Sequence, residues 1–203
     1  METKIAQFLS LIFQPLFMPL FTVFLLFNSG TYITYAISED AQKWIYLIIT
    51  VNLILVPSII FLWLLRKGAI KSLYMNTAEE RRLPFVITLV LYIVTFYLLR
   101  KLELPELLYL LILGAAFSIV IAFFVTLKWK ISIHTMGMGG VAGMVLGLIL
   151  RLDAQLIHVL AALIFLSGLV GFARLKLGVH TPAQVYTGFV VGSALMCGLI
   201  MMA

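Results

Sequence analysis

Charge is scarce in this chain: of 203 residues only 11% are Asp, Glu, Lys or Arg, where an ordinary soluble domain carries about 25%. A soluble fold of this size has no means of hiding the 64% of residues that are hydrophobic, so a water-exposed globule is excluded. Cysteine is nearly absent. The single Cys197 lies deep in the last apolar run, which rules out a disulfide framework and leaves the redox compartment unread. Polar linkers, low-complexity tracts and internal repeats are missing as well, so nothing divides the chain, and one transmembrane domain over residues 1–203 is the economical reading.

What is present is a series of long apolar runs, at about 5–27, 42–65, 84–99, 105–127, 133–150, 154–172 and 182–202. Each is long enough to cross a bilayer core of about 30 Å as a helix, and the fold class is an all-α membrane bundle of six or seven helices. The first run carries Pro15 and Pro19, which predict a kink, a re-entrant turn or a surface-lying segment. It is longer than the apolar stretch of a signal peptide and lacks a small-residue cleavage site, so a retained segment is expected. The fifth run opens "TMGMGGVAGMVLG". Its Gly139, Gly143 and Gly147 recur every fourth residue, the spacing that lets two helix backbones approach closely.

Alternating the runs across a membrane sorts the charges. One face collects Lys4, Arg66, Lys67, Lys71, Arg81, Arg82, Lys128, Lys130, Arg174 and Lys176 against Glu2, Glu79 and Glu80. The opposite face has Lys43, Arg100, Lys101 and Arg151 against Glu39, Asp40, Glu103, Glu106 and Asp153. By the positive-inside rule the first face is cytoplasmic, and the bacterial inner membrane is the expected location. Trp44, Trp63 and Trp129, near run ends, are read as interfacial anchors. His158, near the opposite face, is read as structural.

Three turns on the basic face hold more than a topology signal. "MNTAEERRLPF" sets Arg81 and Arg82 side by side, "LKWKISIHTMGMGG" places Lys128 and Lys130 near His134, and "ARLKLGVHTPAQVYTG" supplies Arg174, Lys176, His180 and Gln184. Guanidinium groups grip phosphate oxygens in bidentate fashion, and histidines can attack phosphorus or protonate a leaving oxygen. No Cys, Asp or Glu accompanies the two histidines, so zinc or magnesium would lack ligands.

These residues resemble the type 2 phosphatidic acid phosphatases (PAP2), whose motifs are K-x6-R-P, P-S-G-H and S-R-x5-H-x3-D. The third motif is the clearest: Arg174 and His180 reproduce R-x5-H, and "LGVHTPAQVYTG" follows the usual L-G-V-H-x-P-x-D-V-x-x-G with Ala173 for Ser and Gln184 for Asp. In the second, Ser132 and His134 are kept while Ile131 and Ile133 replace Pro and Gly. The first is reduced to Arg82-Leu83-Pro84, with Met75 where the Lys would stand. The resemblance covers about residues 71–192 and implies a PAP2-type core there.

The resemblance also implies a hydrolase that works without metal or cofactor through a phosphohistidine. His180 is the nucleophile, and His134 protonates the leaving oxygen and later activates water. Arg174 and one or both of Arg81 and Arg82 hold the phosphate oxygens, Ser132 binds the phosphate with them, and Lys130 or, less directly, Lys71 replaces the missing lysine. Gln184 stands where the family's Asp orients the nucleophile; an amide oxygen accepts the same hydrogen bond but brings no charge, and a flipped amide would present a donor. The implied substrate is a lipid phosphate of the phosphatidate, phosphatidylglycerol phosphate or polyprenyl diphosphate class, met in the bilayer, with no nucleic acid as partner. A non-catalytic binder or transporter of lipid phosphates on a degenerate scaffold is the alternative.

Overall fold

A computed structural model of the chain describes residues 2–72 and 77–202. Within them the regular structure is helical: α1 (Glu2–Ile12), α2 (Met18–Phe27), α3 (Tyr32–Ala36), α4 (Glu39–Ile49), α5 (Val56–Arg66), α6 (Ala78–Arg100), α7 (Glu106–Thr126), α8 (Ile133–Leu152), α9 (Ile157–Lys176) and α10 (Pro182–Met202). Seven helical stretches are long and apolar enough to cross a membrane, the first formed by α1 and α2 and the second by α4 and α5.

Proline decides the shape of both composite stretches. Ahead of Pro15, the helical region is sterically disfavoured, and Gln14 is extended at φ −65°, ψ 137°, so α1 stops and a short 3-10 turn, Pro15–Phe17, leads into α2. Pro19 sits in the first turn of α2, where its missing N–H costs no helical bond. The first run is thus two short helices joined by a proline-bearing turn within one stretch long enough to cross a membrane. In the second stretch, Pro57 would clash with the carbonyl four residues earlier; a π-helical turn over Thr50–Leu55 widens the backbone just before it.

The centre of the bundle is α8, buried along its length from Thr135 to Leu148. It lies against α10, and the glycine contact is real: a Cβ on Gly139 would collide with the carbonyl of Phe189, one on Gly143 with that of Ser193, and one on Gly147 with the side chain of Ile200. The main apolar core gathers around this pair, with Met138, Met144 and Leu148 of α8, Leu108 and Ile112 of α7 and Ile200 of α10 almost fully enclosed. By contrast, a Cβ on Gly140, on another side of α8, would meet nothing within 4 Å.

Candidate functional site

The segment carrying the third motif is shaped by two capping structures in succession. At the end of α9, Gly178 adopts φ +65°, a left-handed conformation that suits glycine. Its N–H donates to the carbonyl of Leu175 at 2.9 Å and that of Val179 to the carbonyl of Arg174 at 3.3 Å, the paired bonds of a Schellman stop. The chain then reverses into α10, which begins with a capping box: Gln184 N–H donates to Thr181 Oγ1 at 3.5 Å, and Thr181 N–H donates back to Gln184 Oε1 at 3.1 Å. Pro182 opens α10, where proline is tolerated. His180 is thereby held between a helix end bearing Arg174 and a helix start bearing Gln184.

The box fixes which atom Gln184 shows to His180. Because Oε1 already accepts from the Thr181 N–H, it must be Oε1, not the amide nitrogen, that lies 3.1 Å from His180 Nδ1. The carbonyl of Lys130 approaches the same nitrogen at 3.2 Å. Among the described residues two acceptors and no donor face Nδ1, so this nitrogen carries the hydrogen and Nε2 keeps its lone pair, the tautomer a nucleophile needs. His180 is buried, which lowers its pKa, and Arg174, Arg81 and Lys130 add repulsion; against the hydrogen bond it donates to Gln184, which acts the other way, the result is about 4. The imidazole is therefore neutral near pH 7.

Four of the implicated side chains, Arg81, His134, Arg174 and His180, line one cavity of about 410 Å³. Arg81 and Arg174 are both buried, at 5% and 4% exposure, and Arg81 Nη1 donates to the carbonyl of Ile131 at 3.5 Å. A side-chain N-cap starts α6 just ahead of Arg81: Thr77 Oγ1 accepts from Glu80 N–H at 3.3 Å. Successive residues of a helix point about 100° apart, so Arg81 turning inward sends Arg82 out, and Arg82 is exposed. Arg82 does not line the cavity.

The remaining implicated residues act from behind or stand aside. Lys130, its pKa lowered by partial burial and by Arg81 and Arg174, borders the cluster and contributes its carbonyl to His180. Ser132 is fully buried and does not reach the cavity; its Oγ caps α8 by accepting from Thr135 N–H at 3.4 Å. Lys71 is exposed, with its backbone N–H on Glu80 Oε1 at 3.3 Å, and Met75 lies outside the described residues. His158 is exposed at the start of α9, away from the cavity. Among the described residues no three His, Cys, Asp or Glu side chains gather, and no carboxylate lines the cavity.

One part of the site lay outside the motif-bearing region. The half-helix α1 closes over the cluster: the Ser10 carbonyl accepts from His134 Nε2 at 3.2 Å, Glu2 pairs with Lys176 at 2.6 Å, and Gln7, Ser10 and Gln14 line the cavity. Their spacing of three and four residues is a polar stripe on an otherwise apolar run, and with Pro15 it was the available signal.

No family model, curated protein or solved structure matches the chain. The chemistry therefore rests on the cluster itself: a neutral histidine with its free nitrogen selected, a second histidine near it, and two buried guanidinium groups, all at one end of an apolar bundle.

Proposed function

We propose that this is an integral membrane phosphatase of PAP2 type that hydrolyses a lipid phosphomonoester or diphosphate without metal. The observation that carries the reading is His180, neutral and with Nδ1 held by two carbonyl-type acceptors, in the same cavity as Arg81, Arg174 and His134.

In the first step His180 Nε2 attacks phosphorus, and the bond from phosphorus to the lipid oxygen breaks with its electron pair. His134 gives up a proton to that oxygen; it holds the extra proton while the phosphate dianion offsets the surrounding cations. The Nδ1–H stays on His180, and the positive charge of the phospho-imidazole is spread over its bonds to Gln184 and Lys130. In the second step His134 takes a proton from water, the oxygen attacks phosphorus, and the P–N bond breaks to restore neutral His180 and release phosphate. Arg81 and Arg174 hold the equatorial oxygens, where the charge develops. The basic face, in this reading, is the cytoplasmic face of a bacterial inner membrane.

The lack of a carboxylate at position 184 favours a second reading, a protein that binds lipid phosphates without cleaving them. Phosphate release by the purified protein from a panel of lipid phosphates decides between them. Release that disappears in His180→Ala is the expected result; binding with no release from any lipid supports the binder.

A further inference from the structure

The cavity does not end at the cationic cluster. It continues into the bundle between α2, α6, α7 and α8, reaching Tyr92 on α6, Leu111 on α7 and Met196 on α10. From Arg81 to Tyr92 is eleven residues of α6, which at 1.5 Å per residue is about 16 Å, roughly half the hydrocarbon core of a bilayer. Three hydroxyls on this inner wall are turned back onto their own helices: Thr22 donates to the Met18 carbonyl at 2.7 Å, Thr88 to that of Pro84 at 2.7 Å and Ser118 to that of Gly114 at 2.9 Å. Each is satisfied by its own helix. Apart from the Tyr92 hydroxyl, the inner part of the wall offers apolar surface and suits apolar matter.

We infer that this inner cavity receives the single hydrocarbon chain of the lipid whose phosphate sits among Arg81, His134, Arg174 and His180. The inference rests on the headgroup reading above and narrows the substrate to single-chain lipid phosphates, such as prenyl or monoacyl species. Size makes the choice of one chain. A cavity of 150 Å³ takes one benzene, so by proportion the whole of about 410 Å³ would take roughly 16 carbons, and because that volume also includes the cationic end where the phosphate sits, what remains suits one chain and not two. Gly140 faces this space, about 9 Å along α8 from His134, and a side chain there has open room.

The test uses dodecyl phosphate carrying a diazirine at its chain end, added to the full-length protein in nanodiscs, with labelled residues mapped by mass spectrometry. Labelling of Tyr92, Leu111 or Met196 is expected. It should fall at least tenfold in Gly140→Leu, while hydrolysis of butyl phosphate, too short to reach the plug, stays within threefold of wild type. Unlabelled dodecyl phosphate should displace the probe at least tenfold better than a two-chain phosphatidate. Label confined to lipid-facing residues such as Phe8 and Phe124, or labelling of the deep residues unchanged by Gly140→Leu, would overturn the inference even if phosphate is released. Equal displacement by phosphatidate overturns the single-chain assignment. Deep labelling without phosphate release upholds the chain site and tells against the phosphatase.

Discussion

Replacing Gln184 by Glu tests the site more finely than removing a residue, because it adds one charge and keeps the shape. The carboxylate still accepts from both Thr181 N–H and His180 Nδ1, now at 3.1 Å each. In a serine protease, exchanging the orienting Asp for Asn costs about 10⁴ in rate, chiefly by selecting the wrong tautomer. Here the capping box already selects the right one, so only the charge is missing. A hydrogen bond to a charged partner contributes about 1.5–3 kcal/mol against about 1 for a neutral one. The gain is thus about 0.5–2 kcal/mol, or roughly 2- to 30-fold in kcat, since each 1.36 kcal/mol is a factor of ten. Single-turnover hydrolysis of a saturating lipid phosphate by wild type and Gln184→Glu measures it. A gain of a thousandfold or more would refute the pinned amide, because it would mean that the wild-type glutamine presents the wrong group. A loss would refute the build-up of positive charge on His180.

Arg81→Gln should lower kcat/KM by about 10² to 10³, the cost of losing one transition-state donor, while Arg82→Gln stays near wild type; equal effects would refute the division of the pair. The acid limb of kcat/KM should lie near pH 4, because protonation of His180 removes the attacking lone pair; a limb near the ordinary value of about 6.5 would contradict the burial argument. The same shift has a stability consequence. Unfolded His180 takes a proton as pH falls below about 6.5 whereas the folded group resists until about 4, so thermal stability should decline through that window, more in wild type than in His180→Gln. Gly143→Val drives a Cβ into the Ser193 carbonyl and should destabilise the α8–α10 pair by about 1–3 kcal/mol or more, seen as a lower midpoint in detergent; no change would refute the close contact. With Cys197 replaced, a cysteine at Lys176 should resist an impermeant label added outside intact cells, and its labelling would reverse the orientation.

Much of this was legible from residue type and spacing. Apolar run lengths set the seven stretches, since backbone groups in lipid must be paired within a helix, and the four-residue glycine spacing marked the α8–α10 contact. The convergence of Arg174, His180 and His134 followed from charge and sidedness. Which member of the Arg81–Arg82 pair faces inward did not, because that depends on the helical phase fixed by the Thr77 cap. Ser132 looked like a ligand by position, yet its hydroxyl is used by the α8 N-terminus. Gln184 looked like a defect when read as a substituted acid; its backbone partner Thr181 becomes visible only once the segment is seen as a capping box. The inner cavity left no trace, as apolar residues that line a space and those that fill one have the same composition.

The central claim is that His180 carries the phosphoryl group. Rapid acid-free quenching of the purified protein turning over a lipid phosphate, followed by peptide mass spectrometry, measures this directly. The account predicts a phosphoryl group on His180 that is lost on mild acid treatment and is absent from His180→Ala. Phosphate release at the wild-type rate with no phosphoryl group on His180, or undiminished release by His180→Ala, would contradict it.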